Sequence, residues 1–208
     1  GRPSGNIQNL ARDARHKLLT NWATDKNLSV VLLGHTLEDN AETIIIRLIR
    51  GSGVDGLAGM SQYININNLG IFRPLLQVKR DELRHYLTEK NVTWIDDPSN
   101  FDERFQRVKV RKLMPQLAHL GLTPNKLNDF AEHMARAKAA LNSEVMTFAS
   151  SNVRQKFWGD LEIEQDAFIN LADEYQVRLL SAALRWISGS VYRPRFKSLK
   201  RLLNLLIN

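Results

Sequence analysis

The 208-residue sequence predicts an α/β fold that gives way to a mainly α-helical region in its second half. Three observations predict it. A short β-branched apolar run, Ser-Val-Val-Leu-Leu at residues 29–33, lies between two segments of helical periodicity. Two alternating segments then flank Asn67-Asn68-Leu69-Gly70, the pattern of a hairpin with an Asn- and Gly-rich turn. Beyond Asp97-Pro98-Ser99-Asn100 the apolar spacing is mostly helical.

Each element follows from its own residues. Residues 6–26 read as a helix, because Ile7, Leu10, Ala14, Leu18 and Trp22 share one face while Arg12, Arg15 and Lys17 lie on others. The run 29–33 is short and apolar, which predicts a buried strand. Helix is predicted from Leu37 to Arg50, with Ile44, Ile45, Ile46, Leu48 and Ile49 inside and Gly51-Ser52-Gly53 as its breaker. After the hairpin over 62–73, Leu83, Tyr86 and Leu87 mark a helix over 78–90. Asp97 is held out of helix by Pro98, and Ser99 or Asn100 suits the cap of a basic helix over 101–118. Thr123-Pro124 suits the cap and first position of a long helix to about residue 150. A short strand over 157–163 and helices over 165–187 and 196–206 complete the chain. A boundary near 115–124 divides residues 1–117 from a helical domain at 118–208.

Composition narrows the function classes. Apolar residues make up 43% and charged residues 25%, as in packed globular chains. No apolar run is long enough to cross a bilayer, and no secretion signal is read, so no membrane role is expected. These residues include no cysteine, which excludes disulfides and thiol chemistry within them and fits a reducing compartment. A net charge of +7 favours a polyanion such as nucleic acid. The last stretch, YRPRFKSLKRLLNLLIN, holds five basic residues and no acid; a solvated face is the first reading of it.

Two constellations bear chemistry. His35 lies two residues past the apolar run, at the strand edge where α/β sheets bind ligands. Glu38 and Asp39 follow in the first helical turn, where acids suit the dipole. Glu42 is three residues from Asp39 and four from Glu38, so the three acids crowd one side. Like charges so spaced repel by about 0.2–0.5 kcal/mol, which a bound cation relieves. Residue types leave open whether that cation is a metal ion or an ammonium group, or whether the acids simply complement the dipole. Gly51-Ser52-Gly53 suits either a phosphate approach or a helix C-cap, and lacks the Walker ending. In the second constellation, Arg104, Arg107 and Arg111 form a guanidinium stripe suited to phosphates, or an exposed face paired with Asp102 and Glu103.

Together these stretches resemble the tRNA(Ile)-lysidine synthases of the PP-loop ATP pyrophosphatase superfamily. That family carries patterns like G-H-x-x-D-D-Q-x-E-T and R-G-S-G-x-x-G-L-x-x-M; this chain has GHTLEDNAET at 34–43 and RGSGVDGLAGM at 50–60. It also has FRPLL at 72–76, W-x-x-D-P-S-N at 94–100, and NLARDARHKLL at 9–19 in place of the family's A-R-x-A-R-Y helix. Glu38 and Asn40 stand where the family usually has Asp and Gln, Thr36 where a second His is common, and His16 in place of Tyr. The S-G-G-x-D-S pyrophosphate loop does not occur among these residues.

The resemblance implies a partial doubly wound parallel sheet, ahead of a helical tRNA-binding domain. It implies a cytoplasmic ligase that uses ATP, with Mg2+, to adenylate C2 of the anticodon cytidine of tRNA(Ile) and then joins free lysine there, releasing AMP. Asp39 and Glu42 would bind the lysine. Arg15 (with Arg12 as the alternative), Gly34 and His35 would serve ATP. Asn100, Arg104, Arg107 and Arg111 would meet tRNA and phosphate, and His35, Asp39, Glu42 and Arg111 would be catalytic. No resident metal is implied, and members often form homodimers. Without the phosphate loop, the 208 residues alone are expected to lack synthase activity and to leave strand edges uncovered. Competing readings are an RNA-binding module without catalysis, a PP-loop tRNA thiolase, and a metal hydrolase built on His35 and the acids.

Overall fold

The computed structural model describes residues 7–66, 69–97, 102–190, 193–194 and 196–207. Contacts divide the chain into two units, 1–135 and 136–208.

In the first unit, α1 (Ile7–Asp25) precedes β1 (Val30–Leu32), and α2 (Leu37–Ile49) follows it directly. The one-turn helix α3 (Val54–Leu57) leads into β2 (Tyr63–Ile66) and β3 (Leu69–Phe72). The sheet order is β1-β3-β2; β1 pairs with β3 in parallel, Val31 opposite Ile71, and β2 pairs with β3 antiparallel, Ile64 opposite Ile71. The predicted hairpin is therefore present, but Leu69 and Gly70 belong to a strand rather than to the turn. Residues 67–68, which join the two strands, lie outside the described residues.

β1 is an edge strand among the described residues, and Leu32 is 65% exposed. The expectation of a buried strand thus fails: an apolar run reports propensity, and only neighbours on both flanks and faces make it buried. Leu18 and Trp22 of α1 are likewise exposed.

The unit's core forms where α2 meets α5 (Gln106–His119) and the first turns of α6 (Pro124–Asn152). Ala41, Ile44 and Ile45, at helical spacing on α2, pack with Val110, Leu127 and Ala131. Leu48 and Ile49, expected inside, are exposed. The last turn of α2 lies beside the start of α5, where Arg50 hydrogen-bonds Gln106 across an exposed edge. α4 (Arg80–Glu89) follows the hairpin.

α5 begins five residues later than its sequence implied. Asp102 accepts the Arg104 amide, closing a local turn that competes with helix. Asn100 and Ser99, the expected caps, lie outside the described residues, and Phe105 stands at the N-cap instead.

The second unit is helical around a small hairpin. β4 (Val153–Gln155) continues from α6 and pairs antiparallel with β5 (Leu161–Ile163). The exposed Phe157 and Trp158 lie in the turn between them, not in the predicted strand. The single helix expected over 165–187 is two, α7 (Gln165–Ile169) and α8 (Asp173–Ser188). Buried Gln176 donates to the carbonyls of Phe168 and Ile169, satisfying the end of α7 and fixing the break. α9 (Phe196–Ile207) adds Leu199 and Leu203 to a core with Val145, Phe168, Leu179 and Leu180. Among the described residues, no helix is long and apolar enough to cross a membrane.

Candidate active site

The site is built where two helices begin side by side. The Leu37 amide of α2 donates to the Val78 carbonyl just ahead of α4, at 3.1 Å. In return the Arg80 amide, first in α4, donates to the Glu38 carboxylate at 2.9 Å. Glu38 therefore caps a neighbouring helix, and two positive helix ends converge. Asp39 holds the start of its own helix: its Oδ2 accepts from the Thr36 amide at 2.9 Å and the Thr36 hydroxyl at 3.0 Å. That is the acidic half of a capping box.

Guanidinium groups close around the acids. Glu42 is 1% exposed, yet its carboxylate has three arginines around it. Arg111 Nε lies 2.7 Å from Oε1, Arg107 Nε 3.0 Å from Oε2, and Arg80 Nη2 3.9 Å from Oε1. The same Arg80 nitrogen is 3.3 Å from Asp39 Oδ1. Arg107 also donates to the Asp39 carbonyl and the Thr43 hydroxyl, locking α5 onto the first turns of α2. The cation that the crowded acids call for is thus supplied, in this structure, by the chain's own arginines.

Charge states follow from this geometry. Burial pushes the Asp39 carboxyl up, but the Thr36 amide, Arg107, Arg80 and the Thr36 hydroxyl outweigh it and hold it below its ordinary value. The hydrogen bond to Glu42, and then the charges of Glu42 and Asp39, outweigh burial and raise Arg111, so it stays a cation. All three arginines keep part of the side chain in solvent. Partly open guanidinium groups beside two helix N-termini suit an anion such as phosphate.

The other sequence-derived residues fall as follows. Gly34 and His35 form the link from β1 to α2; His35 is half-buried, and a Cβ on Gly34 would meet nothing within 4 Å. Open space around the Gly34 backbone leaves room for close approach. Arg104 departs from the expected stripe. It precedes α5 and pairs with Asp102 at 2.6 Å, while Glu103 pairs with Lys112, so only Arg107 and Arg111 turn inward. Arg15 is exposed on α1, and among the described residues it has no bond to the cluster. Asn100 lies outside the described residues. Among those residues, no group of three His, Asp or Glu side chains is arranged to hold a metal ion.

Sequence reasoning missed Arg80 and a supporting residue, Asn128. Arg80 did leave a signal: a basic residue opens a helix, against the dipole, and acids must offset it. Buried Asn128 left none. It accepts from Asn40 at 2.6 Å and donates to the Leu37 carbonyl at 3.1 Å, while Asn40 accepts the Met60 amide at 2.7 Å. Arg47 gathers the Gly56 and Gly59 carbonyls at 2.8 and 2.7 Å, so its glycine-rich neighbourhood is pinned to α2.

The pattern of a PP-loop domain matches residues 2–117. The chain belongs to the PP-loop family. Its similar family relatives include the tRNA(Ile)-lysidine synthase of Ruegeria pomeroyi, 41% identical over 92% of this chain and 45% of that protein. Those of Wolbachia pipientis and Rhodopseudomonas palustris are 36% and 40% identical, over 98% and 88% of this chain and 47% and 53% of those proteins. The chain spans about half the length of the curated relatives it matches. A U34-tRNA thiolase from Methanococcus maripaludis, solved with its 4Fe-4S cluster, shares the PP-loop fold. Its TM-score is 0.52 at 16% identity, over 64% of this chain and 44% of that one.

Proposed function

We propose that this chain is part of a tRNA(Ile)-lysidine synthase, a cytoplasmic ligase that joins lysine to C2 of the anticodon wobble cytidine in an ATP-dependent reaction. The observation that carries this reading is the pairing of Asp39 and buried Glu42 with three partly open guanidinium groups where α2 and α4 begin. The names of the similar relatives support it.

Roles follow from the chemistry of each group. Asp39 and Glu42 take the ammonium of lysine, since two carboxylates one helical turn apart suit one cation. Arg107 and Arg111 hold Glu42 and turn their open edges to phosphate, where they stabilise charge developing on the leaving nucleotide. Gly34 leaves its amide open to a phosphate oxygen, with His35 beside it. Arg15 meets the nucleotide, and Asn100 and Arg104 meet tRNA. When bound, ATP supplies the adenylyl group that makes the C2 oxygen a leaving group. Magnesium would be held by the nucleotide phosphates, because Asp39 and Glu42 already pair with arginines. Lys197, Lys200 and Arg201 lie exposed on α9, and no acid follows Glu174, which suits contact with the tRNA backbone.

The test is incorporation of radiolabelled lysine into an isoleucine tRNA transcript by the full-length protein that contains this chain. Label should depend on ATP and on the wobble cytidine, and vanish when that cytidine is replaced by uridine. The 208 residues alone, which lack the S-G-G-x-D-S motif, should incorporate none. Binding of the transcript without incorporation by the full-length protein would refute the ligase and leave an RNA-binding module.

A further inference from the structure

The three arginines around Glu42 are not equivalent. Arg107 and Arg111 approach within 3.0 and 2.7 Å and also serve α2 or Glu42 through a second nitrogen. Arg80 is looser, at 3.3 Å from Asp39 and 3.9 Å from Glu42, and it reaches both with the same Nη2. That nitrogen therefore stands between the two carboxylates, where one ammonium bound by both would stand. Its backbone, by contrast, is fixed: the Arg80 amide is bonded to Glu38. The guanidinium can leave without disturbing the start of α4.

We propose that Arg80 is a resident cation, which the amine substrate displaces from between Asp39 and Glu42. This rests on the reading above that the carboxylates receive lysine. In the absence of amine, Arg80 offsets the repulsion between Asp39 and Glu42 at their i, i+3 spacing. On amine binding, one ammonium replaces one guanidinium, so the net charge of the pair's surroundings is conserved. The released side chain turns outward, toward the solvent it already meets, and becomes available to an anion. Arg80 is then a positioning residue that couples occupancy by the amine to a free cation at the phosphate side.

A residue that bound substrate would weaken binding when removed; a resident competitor strengthens it. The experiment is titration of this chain with L-lysine, followed by amide NMR shifts, for the wild type, Arg80→Met, Arg80→Gln, Arg80→Lys and Asp39→Asn. Arg80→Met and Arg80→Gln should bind lysine about two- to fivefold more tightly, the range that loss of a partly exposed ion pair gives. Arg80→Lys, which restores a cation, should return toward the wild type, and Asp39→Asn should bind more weakly. Two variants are used so that one poorly folded protein does not decide the result. Unchanged or weaker lysine binding by both neutral variants, with wild-type binding intact, overturns the exchange and leaves the amine site standing. Lysine binding to none of the proteins, or binding indifferent to Asp39→Asn, overturns both.

Discussion

Glu42→Gln is the most incisive perturbation of this site. The substitution keeps shape and one acceptor oxygen but removes a charge that is 1% exposed and faces three guanidinium groups. Arg107 and Arg111 then face each other without their shared counter-ion. Removing one partner of a fully buried pair costs about 3–5 kcal/mol. Here the arginine side chains are 30%, 38% and 30% exposed, so water relieves part of the loss. About 2 kcal/mol is the expected cost. A chain of this size loses roughly 2–4 °C of melting temperature per kcal/mol, so the midpoint should fall by roughly 4–8 °C. Urea unfolding followed by tryptophan fluorescence, with calorimetry alongside, measures both. The deficit should shrink as salt is raised, because salt screens the repulsion among exposed parts of the arginines. A change below about 0.5 kcal/mol, the size of an ordinary surface substitution, would refute the view that Glu42 organises the cluster.

Two further predictions concern the frame around it. The folded protein holds Asp39 ionised below the ordinary value of 3.8, so its contribution is complete above about pH 5 and drains away as pH falls through 3.8 and lower. Asp39→Asn should cost about 1 kcal/mol near neutrality and flatten this acid limb, read as unfolding midpoint against pH; an unchanged limb would contradict the assignment. Asn128→Ala should cost about 2 kcal/mol, because it leaves the buried Asn40 carboxamide and Leu37 carbonyl short of partners. Hydrogen exchange at the Met60 amide, which Asn40 accepts, should quicken; an unaltered rate would show that Asn40 is held by other means.

What the sequence disclosed was the local half of the site. Thr36 to Glu42 announced a helix start with acids on one side, and that is what forms. What balances those acids comes from Arg80, Arg107 and Arg111, distant in the chain and brought near by packing. Spacing along one helix carries no information about such partners, so the compensating cation was legible as a need but not as arginine. Arg104 leaves the stripe because the Asp102 side chain gives its backbone amide a turn ahead of the helix. Leu32, Leu48 and Ile49 are hydrophobic yet exposed, because burial belongs to the assembly of elements rather than to the residue. Gln176 broke a continuous helical pattern through side-chain bonds that no periodicity contains.

Asp39 has a wider consequence. One carboxylate answers two demands, closing the backbone at Thr36 and neutralising Arg80. Asn meets the first demand and not the second; Glu carries the charge and can close the same box, as Glu82 does on the Lys79 amide, but it brings one more methylene to pack beside Arg80. Glu38, which among the described residues serves the amide of Arg80, is under a looser constraint. Tolerance of substitution is therefore graded within one helical turn, narrow at 39 and wider at 38. In a lineage released from selection for activity, loss at 39 would not be silent, because the chain would lose foldedness together with chemistry.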